Sequence, residues 1–291
     1  MPIDYDRLMH WPFAPVEQTY TERDTMLYAL GVGFGADPVD EGPLPFVFEE
    51  RGLRAVPTLA AVLGTPGFWI RDPATGVNWK KVLHGEQGIT WHRPLPVATT
   101  VIAQTRVTAI IDKGEGRSAL IYSEREISEK QTGEPLATLS ATTVARGEGG
   151  FGGPAAAQPQ PHPLPERAPD AVCDLRTAPH AALIYRLSGD PNPLHADPAV
   201  AKAAGFTAPI LHGLCTLGVA GHAVLRTCCD YDPARFRSLK LRFSAPVYPG
   251  ETIRTEIWQD GDVMSFRSHA LERNVTVLDN GRVDIVASTQ G

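Results

Sequence analysis

The chain has 291 residues, 43% hydrophobic and 21% charged, with a formal net charge of -6. That length suits one large or two modest domains, and the composition is ordinary for a globular protein. The acidic balance without a Lys/Arg cluster argues against a nucleic-acid partner, and no apolar run approaches the roughly 20 residues that span a bilayer.

In chain order, Met1 to Arg7 carries Asp4 and Asp6 and no apolar core, unlike a secretory signal. The run M-L-Y-A-L-G-V-G, Met26 to Gly33, is too poor in glycine spacing for a dinucleotide fingerprint. Asp37 and Asp40 after it read as solvated turn residues. P-T-L-A-A-V-L-G, Pro57 to Gly64, predicts a short apolar helix. Val101–Ile111, Ser118–Ser128 and Leu136–Arg146 alternate as strands do, with turns at Asp112–Gly116 and Lys130–Glu134. Pro154 to Pro169 is too dense in proline for helix or sheet and predicts a semi-rigid strap. The chain therefore divides into 1–150, a linker at 151–170, and 171–291.

The second part echoes the first: L-I-Y-R-L-S-G-D, Leu183 to Asp190, aligns Tyr185 with Tyr28 and Leu187 with Leu30. Gly33 falls near the position of Asp190, so only the second copy carries an acid there. Asp190 and His195 stand five residues apart in G-D-P-N-P-L-H, where Pro191 and Pro193 exclude regular helix. A kinked loop of that kind holds a carboxylate, an imidazole and the Asn192 amide on one arc, and such a set can hold a water and move its proton. The same residues also make an ordinary turn. Asp197 to Gly205 predicts a short capped helix, and Leu211 to Leu225 a long apolar one. Thr252–Trp258, Ser265–Glu272 and Arg282–Ser288 predict strands, with turns at Asp260–Asp262 and Asp279–Gly281. Cys173, Cys215, Cys228 and Cys229 form no C-x-x-C and no zinc spacing; the adjacent Cys228 and Cys229, which could in principle ligate metal or form a strained redox pair, read as small apolar residues on a helix end in a reducing compartment. Pattern alone supports an α+β fold with an internal repeat.

The run from Tyr185 through Gly221 resembles the signature of the R-specific 2-enoyl-CoA hydratases, the MaoC-like hydratase 2 family. Phe243–Thr252 resembles the family's strand-entry segment after the core helix, and in the first half Tyr28–Gly33, Lys81–Gln87, Asp112–Gly114 and Gly149–Gly153 resemble the two-domain version found in peroxisomal multifunctional β-oxidation enzymes. The resemblance implies a double hot-dog fold and reversible hydration of trans-2-enoyl-CoA to (3R)-3-hydroxyacyl-CoA. It implies Asp190, His195, Asn192 and Gly213 as catalytic, Gly213 supplying a backbone N–H to the thioester oxygen. His84, Gly85, Lys113 and Phe243 are implied as substrate contacts, and no metal or cofactor. Dehydration of a carrier-protein thioester, thioester hydrolysis and plain acyl-CoA binding are the competing readings. The first half is expected to accommodate the acyl chain, medium and long tails included, rather than carry chemistry. A homodimer is expected, without membrane or nucleic-acid partners. The C-terminal Ser288-Thr289-Gln290-Gly291 is no S-K-L address, so a cytoplasmic location is expected.

Overall fold

The computed structural model describes residues 3–286. The first two residues of the opening run, the end of the last expected strand and the C-terminal tetrapeptide lie outside the described residues. Ten strands form one antiparallel sheet: β1 Val16–Tyr20, β2 Val82–Trp91, β3 Thr99–Asp112, β4 Ala119–Glu129, β5 Pro135–Ala145, β6 Ala171–Arg176, β7 Phe236–Phe243, β8 Thr252–Asp260, β9 Val263–Ala270 and β10 Val275–Ile285. Their order is β1-β3-β4-β5-β2-β7-β10-β9-β8-β6. Each half thus repeats one order of five strands, and the two copies meet where β2 pairs with β7, Glu86 opposite Arg242 and Ile89 opposite Leu239. The echo between Tyr28 and Tyr185 is the sequence trace of this symmetry: both rings are fully buried, with centroids 5.8 Å apart.

Five α-helices accompany the sheet: α1 Tyr5–Met9, α2 Glu22–Gly31, α3 Ala181–Tyr185, α4 Pro198–Ala203 and α5 Gly213–Cys228. Asp197 caps α4 through its carboxylate, with Pro198 at the first helical position. The long helix α5 is buried without interruption from Cys215 to Leu225. A helix apolar on all sides belongs in a core, and strands of the second half wrap it. Its glycines allow close packing: a Cβ at Gly218 would lie 2.5 Å from Val32 Cγ1, and one at Gly221 2.7 Å from Thr58 Cγ2. One apolar cluster accordingly runs through both halves, from Tyr28, Leu59 and Ile127 to Leu217 and Phe266.

Two expectations need correction. Pro57 to Gly64 is not an α-helix but a 3-10 run, Pro57–Val62, with every residue buried. Donors from distant strands occupy its carbonyls. Trp91 Nε1 donates to the Pro57 oxygen at 2.9 Å, the oxygen an α-helix would give to the Ala61 N–H, and Arg125 Nη2 donates to the Ala61 oxygen at 2.8 Å. Gly64, at φ +58°, ends the run against Ala103. Asp279–Gly281 is likewise no hairpin turn. It is an irregularity inside β10, with Asn280 at φ +53°, and the chain reverses earlier, at Leu271–Asn274.

No helix or strand occurs between β5 and β6. This segment lies against the second half through polar contacts. His162 Nε2 is 2.7 Å from Ser265 Oγ, Asn280 Nδ2 donates to the His162 oxygen at 2.8 Å, and Trp258 Nε1 donates to the Arg167 oxygen at 2.7 Å.

Candidate active site

The loop after α3 is built by its own side chains. A 3-10 turn, Arg186–Ser188, ends at Gly189, whose φ of +123° suits glycine. The Asn192 N–H donates to Asp190 Oδ1 at 3.2 Å, and Asn192 Oδ1 accepts from the Leu194 N–H at 3.1 Å, starting the turn Pro193–His195. The Asn192 side-chain oxygen is therefore engaged in shaping the loop.

His195 is buried, and its Nδ1 lies 2.8 Å from the Ile210 carbonyl. A carbonyl only accepts, so Nδ1 carries the hydrogen and Nε2 keeps a free lone pair. Burial lowers the His195 pKa below its ordinary value, opposed by the Ile210 hydrogen bond and the Asp190 charge. His212 stacks on the His195 ring at 3.7 Å, and its Nε2 is 3.2 Å from the Asp190 backbone oxygen. Burial, with His195 beside it, holds His212 down to about 4. The side chains of Asp190, His195 and His212 offer ligand atoms within 4.8 Å of one another. As a metal centre this set is poorly shaped. One nitrogen of each imidazole faces a backbone oxygen, and the stacked rings, 28° apart in plane, aim their lone pairs side by side rather than at one point. As an acid–base pair on one water it is well shaped.

His212 is also the N-cap of α5, and Gly213 is the first helical residue. The first N–H groups of a helix have no intrahelical acceptor and favour developing negative charge. A Cβ at Gly213 would meet Phe243 Cε1 at 3.3 Å, so glycine keeps this approach open beside the aromatic ring. His84 also packs on Phe243, with ring centroids 4.8 Å apart.

His84 reaches this position because of Gly85. Along β2, His84 pairs with Thr143 but Glu86 pairs with Thr142, so Gly85 is the extra residue of a β-bulge. Without the bulge, His84 and Glu86 would share a face. With it, Glu86 turns outward to Arg242, 2.5 Å away, and His84 turns inward. A Cβ on Gly85 would lie 2.8 Å from Val144 Cγ2 and 3.2 Å from the Thr142 oxygen. His84 keeps accessible surface while protein crowds around it. Those surroundings hold its imidazole down to about 4, hence neutral.

Lys113 is not brought into this group. It sits in the β3–β4 turn, beyond the row where Ala119 and Val82 both pair with Ala145. That turn is fixed by Asp112, whose carboxylate accepts from the N–H groups of Gly114, Gly150, Gly152 and Gly153 at 2.7–3.3 Å. The D-K-G and G-G-F-G-G strings are one unit, and these hydrogen bonds, Gly150 first, hold the Asp112 pKa low.

Sequence reasoning missed Arg125. Its signal was available: on β4 it is in phase with the inward-facing Ile121 and Ile127. It also missed His222, which stacks on Phe34 at 3.8 Å and lies 3.2 Å from the Tyr231 hydroxyl, a buried part of the joint between halves.

Residues 160–280 match the MaoC like domain family, and residues 18–147 match the MFE-2 hydratase 2 N-terminal domain family. These two matches, one on each half of a doubled strand order, define the double hot-dog class of MaoC-like proteins. A Mycobacterium tuberculosis protein described as having a double hotdog fold shares the architecture at 17% identity and a TM-score of 0.55, covering 95% of this chain and 94% of its own. The crystal structure of a MaoC-like dehydratase from Phytophthora capsici superposes with a TM-score of 0.87 at 33% identity, over 99% of this chain and 100% of that one. Peroxisomal enoyl-CoA hydratase 2 of Arabidopsis thaliana is 40% identical over 96% of this chain and 94% of its own length. The 3-hydroxyacyl-thioester dehydratase Y of Mycobacterium tuberculosis is 42% identical over 94% and 95%. The chain belongs to the enoyl-CoA hydratase 2 family of MaoC-like hydro-lyases, in its two-domain form. No helix among the described residues is long and apolar enough to cross a membrane.

Proposed function

We propose that the protein catalyses the reversible hydration of trans-2-enoyl-CoA to (3R)-3-hydroxyacyl-CoA. The observation that carries this reading is a neutral His195 with Nε2 free, next to the Asp190 carboxylate and the start of α5. Water held between Asp190 and His195 gives a proton to His195 Nε2 as its oxygen bonds to C3 of the enoyl group. The electron pair of the double bond moves onto the thioester oxygen, where the Gly213 N–H receives the charge. Asp190 stabilises the imidazolium that forms. The imidazolium returns the proton to C2, which completes a syn addition and restores the pair. Asn192 holds the loop, and no step calls for a cofactor.

In this reading the thioester lies against Phe243 and His84, Gly85 sets the bulge that presents His84, and Lys113 on the rim meets the CoA moiety. Residues 171–291 carry the chemistry, 1–150 take the acyl tail, and 151–170 join them. We include a homodimer in the cytoplasm as the working state. The exposed Leu30, Leu183 and Leu187 on and beside α2 and α3 support an association surface; sedimentation and cell fractionation test the two points. Coupled oxidation tests the stereochemistry. The hydration product should be oxidised by an R-specific 3-hydroxyacyl-CoA dehydrogenase, and oxidation by an S-specific one instead would contradict the reading.

A further inference from the structure

We propose that Arg125 selects the acyl group: it binds a carboxylate carried on the acyl tail, so that the substrates include ω-carboxy-2-enoyl-CoA thioesters. The inference rests on the hydratase reading above and adds the chemistry of the tail.

Strand alternation places Arg125 on the inner face of β4, between Ser123 and Ile127, opposite Thr105 on β3 and Leu139 on β5. The apolar lining of the first half is interrupted there. Ile127 and Leu139 belong to the main cluster, whereas Ile121 and Val107 belong to a separate one. Between them, Ser123 and Gln87 face inward in the row flanked by Arg125 and His84. A polar stripe therefore leads from His84, beside the proposed thioester position, to a guanidinium deeper in the first half.

The charge at the end of this stripe has no counter-ion among the described residues. Nη2 donates to the Ala61 carbonyl at 2.8 Å, Nε is buried without a partner, and Arg125 makes no ion pair among the described residues. An enclosed cation without an anion is costly to hold. A planar guanidinium with donors to spare fits a carboxylate in two-point fashion. The 3-10 run carrying Ala61 leads directly to the catalytic loop, since the Val62 oxygen lies 3.8 Å from the position a Cβ would take on Gly189. The His84 imidazole accordingly feels the charges of both Arg125 and Asp190. Burial lowers the Arg125 pKa to about 10, which leaves it charged at neutral pH.

The test is a length series of ω-carboxy-2-enoyl-CoA thioesters beside alkyl 2-enoyl-CoA thioesters of equal carbon number, with kcat/KM as the readout. The wild type should favour the carboxylated partner at one or more lengths. Arg125→Gln should lower the ratio of carboxylated to alkyl kcat/KM by about 10²-fold, the scale of a lost charge-assisted hydrogen bond, and Arg125→Lys should restore part of it. A wild type that prefers the alkyl thioester at every length overturns the proposal without any variant. A variant that slows both partners equally gives Arg125 a purely structural role, as the tie to Ala61. If the wild type hydrates no thioester of either series, the hydratase reading itself fails.

Discussion

Replacing Gly85 with alanine tests how the first half serves the site. The new Cβ would lie 2.8 Å from Val144 Cγ2 and 3.2 Å from the Thr142 carbonyl oxygen. The valine methyl can rotate away. The carbonyl belongs to β5, the strand paired with β2, and cannot move without opening the bulge. Overpacking of this kind costs about 1–3 kcal/mol. For a chain of this size that is a fall in Tm of several degrees, at roughly 2–4 °C per kcal/mol. The larger effect is expected on the reaction, because the bulge alone turns His84 inward against Phe243 at 4.8 Å. A displacement of about 1 Å in a positioning group costs on the order of 10²-fold in rate. The assay is kcat/KM for enoyl-CoA hydration together with a thermal melt. A variant that melts lower yet hydrates at the wild-type rate would show that His84 placement is irrelevant to turnover. A variant unchanged in both would show that the bulge is not tightly packed.

Asp190→Asn and His195→Gln should each lower turnover by about 10²–10⁴-fold while the melting curve stays cooperative; near-wild-type rates in either would remove that residue from the mechanism. Stability should decline as pH falls from about 6.5 toward 4. His84, His212 and His222 have folded-state pKa values lowered to about 4, from an ordinary 6.5, burial being the first cause of each. The unfolded chain therefore binds more protons across that window, so stability is fully present above it and is lost within it; a Tm constant from pH 7 to 4.5 would contradict these assignments. A fragment beginning at Asp170 should be insoluble or inactive, because it exposes the β7 edge that pairs with β2 and the face of α5 that packs on Val32 and Thr58; normal folding and turnover by the fragment would refute the dependence.

The strands of the first hairpins were legible because they alternate cleanly and are punctuated by Asp112–Gly116 and Lys130–Glu134. β3, β4 and β5 lie within a few residues of the expected runs. The repeat was legible in Tyr28 and Tyr185, yet not the mirrored strand order, which depends on β2 meeting β7. β2 itself is hard to read, since the Gly85 bulge breaks its period of two. The missing first-half helix has a tertiary cause. Its carbonyls are taken by Trp91 and Arg125, far away in sequence, and no local propensity of Pro57–Gly64 announces this. Within the site, Asp190, Asn192 and His195 were legible because prolines confine them to one loop. The convergence of His84, Phe243 and Gly213 was carried by family resemblance, since it requires both the bulge and the joint between halves. Arg125 went unread because one arginine in a strand rich in charge looks like a solvated face until its phase with Ile121 and Ile127 is counted.

The most direct test of the account is the reaction of the purified chain with crotonyl-CoA, following enoyl absorbance and free thiol together. Enoyl absorbance should fall to an equilibrium value with no thiol released, and the same equilibrium should be reached from (3R)-3-hydroxybutyryl-CoA. Release of thiol at the rate of absorbance loss, or unchanged absorbance at high enzyme concentration, would contradict it.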